Sequence, residues 1–159
     1  MQANPDSSSP TSATKTRTLT IQAPTSSATQ SAVTSGTTGI ADFTCTDNAG
    51  HQTYTTASGA KFIEECYADY GNVDGISAYT VYTFQSCMNQ CVIYNAHARP
   101  NETLCGAVSY SANLTQVLGT QGEASSYGGN CFLKAGRGDL VTDNVIMNYR
   151  LMGSAYLLG

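Results

Sequence analysis

The chain has 159 residues, enough for one ordinary domain and a tail, and it carries a net charge of −4 with only 11% charged residues. Residues 41–159 hold 10 acidic and 5 basic side chains, a balance of −5, which disfavours nucleic acid, heparin-like polyanions and anionic lipid as partners. No apolar run reaches about 18 residues, so no membrane insertion is expected.

Residues 1–40 come first and stand apart. They hold 8 Ser and 10 Thr, three of the four prolines, three charges and no cysteine or aromatic residue. So little apolar surface cannot offset the entropy of ordering a backbone. The segment reads as a disordered Ser/Thr-rich stalk or linker, open to O-glycosylation in a secreted protein. Residues 1–20 show no apolar signal-peptide core. A secreted protein of this kind has lost its leader, or the chain is a piece of a larger one.

The domain is expected over 41–159. It has 26 Ile, Leu, Val, Phe and Met residues among 119 positions, a thin supply for a core. All six cysteines fall inside it: Cys45, Cys66, Cys87, Cys91, Cys105 and Cys131. An even number, with low charge and a Ser/Thr stalk, points to disulfides and an extracellular or cell-surface location. Each bridge contributes about 3 kcal/mol in the chain-entropy model.

After Cys45, Gln52 to Thr56 reads as a strand, Ser58-Gly59 as a turn, and Lys61 to Tyr67 as a returning strand. That hairpin brings Cys45 near Cys66. Asp69 to Ile76 is dense in Gly, Asn and Asp and reads as a loop. Thr83 offers an N-cap, and Phe84 to Ala96 has helical spacing in Phe84, Cys87, Met88 and Cys91. Pro100 closes the helix by pushing Arg99 out of the helical region. Ala107 to Tyr110 reads as a strand, residues 111–130 as a long polar loop, and Cys131 to Lys134 as a strand. Ala135 to Gly138 turns, and Val145 to Leu151 alternates as a last strand. The sum is an α+β fold, one helix packed on an antiparallel β-sheet.

Cys87 and Cys91 share one helix face, with Cβ atoms about 5–6 Å apart, whereas a disulfide needs about 3.8 Å. Each therefore reaches outward to a strand, with Cys105 and Cys131 as available partners.

This constellation resembles the PAN/Apple domains. The residues that carry it are Thr83 to Cys91, Cys105-Gly106-Ala107-Val108-Ser109-Tyr110, and Gly129 to Lys134; Asp69-Tyr70-Gly71 to Ile76 looks like the stretch before the helix in fungal members. The resemblance spans about residues 41–152. It implies the pairs Cys87–Cys131 and Cys91–Cys105, which leaves Cys45–Cys66. The last pair departs from Apple domains whose extra cysteines tie the two chain ends together. The resemblance further implies a non-catalytic module that binds a carbohydrate or an extracellular protein. A passive structural or adhesin component of a cell wall, and an accessory module of a larger secreted enzyme, are the alternatives.

Other motifs add detail. Asn101-Glu-Thr103 and Asn113-Leu-Thr115 are N-glycosylation sequons, as in a glycoprotein. A lone Cys-x-x-x-Cys with His97 nearby lacks the second ligand pair of a zinc site. A calcium loop through Asp74 would need Asp and Glu where Tyr70 and Val81 stand. No metal or cofactor is expected. Glu64 and Glu65 are adjacent on a strand, so they face opposite ways and cannot flank one bond. No nucleophile elbow or phosphate loop is present, so no enzyme activity is expected. Arg137-Gly138-Asp139 matches a cell-adhesion tripeptide but reads as a turn. Among ten tyrosines, Tyr127 in the long loop is the candidate for ligand binding by stacking, while Tyr94, Tyr110 and Tyr149 read as core.

Overall fold

A computed structural model describes residues 31–45, 51–119, 128–142 and 149–159. The expected stalk falls outside them as far as residue 30, and so does Tyr127.

The fold is α+β. Strands β1 (Gln52–Thr55), β2 (Lys61–Cys66), β4 (Gly75–Tyr79), β5 (Ala107–Ser111), β6 (Cys131–Lys134) and β8 (Met152–Leu157) form one antiparallel sheet in the order β1-β2-β8-β5-β6-β4. Two short strands, β3 (Asp69–Gly71) and β7 (Asp139–Val141), pair as a separate ribbon. Helix α1 (Phe84–His97) packs on one face of the sheet, mainly against β5 and β6. A short helix, α2 (Leu114–Leu118), follows β5.

Each element has a local cause. Thr83 is extended and accepts a hydrogen bond from the Ser86 N–H at 3.0 Å, which starts α1 where its hydroxyl was expected to. The helix ends at His97, three residues before Pro100. β1 and β2 form the expected hairpin, with Gln52 opposite Glu64 and Thr55 opposite Lys61. Between them, Thr56 Oγ1 accepts from the Ala60 N–H, and Gly59 takes a left-handed φ of 88°.

The register assigns the faces. Tyr110 lies opposite both Cys131 and Gly153, and Val108 opposite both Leu133 and Ala155. These side chains point at α1, where Phe84, Cys87, Met88 and Cys91 are buried against them. Phe43, Phe84 and Tyr110 cluster with ring centroids 5.8–6.3 Å apart. The cluster lies on Gly153: a Cβ there would stand 2.9 Å from Phe43 Cε2. The opposite face is polar. It carries Glu65, Ser109 and Ser154 and is covered by the β3–β7 ribbon, with Tyr70 fully buried.

Four expectations change. The compact unit begins at Ser31, ten residues before the expected 40/41 boundary. Val33 to Asp42 is a strap: the Ala41 N–H donates to Ala112 O, the Asp42 N–H to Tyr82 O, and the Gly39 N–H to Thr115 Oγ1. Hydrogen bonds to the domain order this stretch together with a few apolar contacts, from buried Ala41 and half-buried Val33 and Ile40. Second, Asp69–Ile76 is not one loop but β3, a turn and the start of β4. Third, α2 interrupts the expected loop 111–130, because Leu114 and Val117 bury one turn of helix capped by Asn113. Fourth, the last strand is Met152–Leu157 rather than Val145–Leu151; Tyr149–Leu151 is a 3-10 turn, and residues 143–148 lie outside the described ones.

Asn130 is the buried polar joint of this architecture. It is 0% exposed; its Oδ1 accepts from the Val81 N–H, and its Nδ2 donates to Val81 O and Ser111 O, each at 2.9 Å. It thereby ties the lead-in of α1 to the end of β5, one residue before Cys131. Replacing Asn130 by Ala orphans three buried groups. We expect a loss of about 3 kcal/mol in urea unfolding; a loss within experimental error would contradict this role.

Candidate functional site

Three disulfides are formed: Cys45–Cys66, Cys87–Cys131 and Cys91–Cys105, with Cα–Cα distances of 5.4–5.7 Å. The last two are the pairs implied by the resemblance, Cys45–Cys66 is the pair left over beside the expected hairpin, and no cysteine is left free. Two of them pin α1 at successive turns, Cys87 to β6 and Cys91 to the residue two before β5. The next face of the helix is thereby left turned towards the sheet edge.

A groove opens there between α1, β4 and the loop after the helix. Gln90, Ile93, Tyr94 and His97 line it at the spacing i, i+3, i+4, i+7, which is one stripe of a helix. Tyr79 from β4 forms the facing wall, and Ala98 and Glu102 close the end. Its volume is about 430 Å³, within the range of small-molecule sites. Ile93 is 49% exposed, an unusual amount for an isoleucine on a packed helix.

The polar groups around this groove are largely uncommitted. Among the described residues, neither tyrosine hydroxyl nor the Gln90 amide has a hydrogen-bond partner. His97 Nδ1 lies 2.8 Å from the Ile93 carbonyl. A carbonyl only accepts, so Nδ1 carries the proton and Nε2 keeps its lone pair in the neutral ring. Glu102 uses Oε2 to accept from the Arg99 N–H and leaves Oε1 over. An apolar floor with two phenol rings, an amide, an imidazole and a carboxylate offers stacking faces beside both donors and acceptors.

The groove is held in shape. Asn95 accepts from the Cys105 N–H at 2.7 Å and donates to Cys105 O at 2.8 Å. Together with Cys91–Cys105 this fixes the far end of the loop 98–105 to α1, from which the loop itself departs. Arg99-Pro100-Asn101-Glu102 is a tight turn in which the Glu102 N–H donates to Arg99 O. Asn101 sits at its third position with φ 79°, the left-handed geometry that a type II turn demands there and that Asn tolerates.

The other conspicuous cluster is structural. Glu65 accepts from the Arg137 guanidinium at both oxygens and from the Tyr70 hydroxyl. Arg137 stacks over Tyr156 at 4.7 Å, and Lys134 reaches Asp69 at 3.2 Å. Burial, then the bond to Glu65, pushes the Tyr70 hydroxyl pKa well up, while the bond to Glu65 raises that of Arg137. The cluster clamps the β3–β7 ribbon to the sheet. It also absorbs the adhesion tripeptide: Arg137 is spent on Glu65, and Asp139 accepts from Asn72 Nδ2 at 2.9 Å inside β7.

Glu64 and Glu65 do point to opposite faces. Glu65 is paired, whereas the carboxyl of Glu64, a residue 5% exposed beside Ala155 on the α1 side, has no hydrogen bond among the described residues. Burial raises its pKa above the ordinary 4.5.

The two sequons differ. Asn101 is exposed and its side chain is unengaged. Asn113 is half-buried as the cap of α2, accepting from the Gln116 N–H, while Thr115 Oγ1 holds the strap at Gly39. Of the tyrosines, Tyr110 is fully buried as expected, but Tyr94, expected in the core, lines the groove. Tyr127 lies outside the described residues. No three His, Cys, Asp or Glu side chains among the described residues converge as metal ligands, and no described helix is long and apolar enough to cross a membrane.

No family model matches this chain, nor does a curated protein or a solved structure.

Two outcomes are expected. Removing Cys91 and Cys105 together costs about 3 kcal/mol and speeds amide hydrogen exchange in residues 98–105 more than in β5. Uniform exchange changes would contradict the local role. Glu64→Gln stabilises the fold at pH 7. A carboxyl whose folded pKa is raised binds its proton more tightly when folded, so its stability contribution is present below pH 4.5 and lost as pH rises through the folded value. The advantage of the Gln variant in thermal unfolding should therefore grow from pH 4 to 7 and vanish in acid. A pH-independent difference would contradict it.

Proposed function

We propose that this domain is a non-catalytic, extracellular recognition module whose α1–β4 groove binds a carbohydrate. The observation that carries the reading is the groove's composition: Tyr79 and Tyr94 rings beside an uncommitted amide, imidazole and carboxylate, on a helix stripe held by two disulfides. A sugar presents apolar C–H faces and a fringe of hydroxyls that both donate and accept. Phenol rings meet the first, and Gln90, His97 Nε2 and Glu102 Oε1 meet the second.

Rigidity supports the same reading. Covalent fixation of the helix wall and of the loop after it before binding removes part of the ordering cost that weakens small-ligand affinity. Three disulfides in a domain this size fit an oxidising, extracellular location. The Ser/Thr-rich stretch before the domain would serve as its spacer. The resemblance to PAN/Apple domains points to the same class of activity, binding rather than catalysis.

The test is a glycan array with the oxidised domain, followed by calorimetric titration of the best hit. Gln90→Ala and Tyr94→Phe keep the helix and the ring while removing one polar partner each. Each should weaken binding about fivefold to tenfold, the worth of one hydrogen bond. A blank array, or binding indifferent to both substitutions, would overturn the assignment.

A further inference from the structure

We propose that the N-glycan of Asn101 is an intramolecular occupant of the α1–β4 groove, so that glycosylation sets whether the groove is open. The inference rests on the carbohydrate reading of that groove.

Three observations bring the parts together. Asn101 lies at the tip of the Arg99–Glu102 turn, exposed, with its amide free of any hydrogen bond among the described residues. Its immediate neighbour, Glu102, is a lining residue of the groove and is locked in the same turn by its bond to the Arg99 N–H. The sequon threonine, Thr103, is exposed and likewise uncommitted, in contrast to Thr115, which holds the strap. A glycan on Asn101 therefore starts one residue from the groove's end and on a turn that the Cys91–Cys105 bridge keeps against α1.

Proximity does the rest. A ligand tethered by a short flexible link has an effective concentration on the order of millimolar. Any groove that binds N-acetylglucosamine-type sugars at or below that range is filled by its own chitobiose core, whose apolar faces suit Tyr79 and Tyr94. A free glycan then has to displace the tethered one. Loss or absence of the Asn101 glycan opens the site without any change in the fold.

His97 reports occupancy without a ligand in hand. Its Nε2 is free and the residue is exposed, so diethyl pyrocarbonate acylates it; His51, also exposed and on β1's approach, serves as the internal reference. The comparison uses protein secreted from a eukaryotic host, the same protein after enzymatic removal of its N-glycans, and Thr103→Ala. That substitution destroys the sequon yet leaves left-handed Asn101 in its turn. With Asn101 glycosylation confirmed by peptide mass, His97 should be acylated about fivefold or more slowly in the glycosylated protein than in the other two, with His51 unchanged. Equal His97 rates in all three forms, or an unmodified Asn101, overturn the inference. The carbohydrate reading stands or falls separately, on a glycan array of the Thr103→Ala protein. Array binding with equal His97 rates would sink the occupant and keep the reading, and a blank array would sink the reading itself.

Discussion

The fold depends on one constraint: two cysteines a turn apart on α1 cannot bond each other and must each reach the sheet. Cys87 takes Cys131 and Cys91 takes Cys105, at sequence separations of 44 and 14. Closing those loops in the unfolded chain stabilises the native state by about 4 and about 3 kcal/mol in the entropy model. That is comparable with the whole stability of an ordinary domain. A core short of leucine and isoleucine can hold because of it. The staples also remove the helix's freedom to roll, so the stripe Gln90, Ile93, Tyr94, His97 has one possible aspect.

The rest of the helix face is filled by shape rather than by quantity of apolar surface. Phe43, Phe84 and Tyr110 stack over Gly153, and the neighbouring β8 positions are Ser154 and Ala155. Large rings on one layer demand small residues on the next, at native packing density. The other sheet face is closed by charge and hydroxyls instead. Ser109 bonds Ser154, Ser154 bonds Ala68 O, and Glu65 gathers Arg137 and Tyr70. A buried polar layer is tolerable only when every member is satisfied, and no side-chain polar atom fully shut off from solvent among the described residues lacks a partner. Such a layer specifies the seating of the ribbon more than it adds stability.

This division explains what the sequence makes legible. The capped, cysteine-bearing helix, the hairpin over 52–66 and the strand Cys131–Lys134 announce themselves through periodicity, turn residues and spacing. β8 does not: Met-Gly-Ser-Ala-Tyr-Leu has neither alternation nor bulk, because the aromatic cluster above it takes the space. The ribbon strands Asp69–Gly71 and Asp139–Val141 look like loops because their partner surface is polar. The strap from Val33 is invisible for a similar reason. Much of its order comes from the Gly39, Ala41 and Asp42 backbone N–H groups, which every residue but proline possesses, and only Val33, Ile40 and Ala41 add apolar contacts. Where order comes from side-chain volume the sequence speaks, and where it comes from backbone pairing or small residues it is silent.

The groove follows the same logic one step further. Tyr94 reads as core because it keeps helical register with Cys87 and Cys91, and it is indeed half-buried against them. Ridge positions beside a buried stripe are half in and half out on any helix. What turns them into a concave site here is β4, the outermost strand of the described sheet on that side, which brings Tyr79 up against the helix. Among the described residues, no further layer covers the rings that this edge strand and the stapled helix share. The exposed Ile93 and the two unpaired tyrosine hydroxyls are what such an unfinished corner must contain, and a rigid, partly apolar, hydrogen-bonding corner is what a small polar ligand with apolar faces requires.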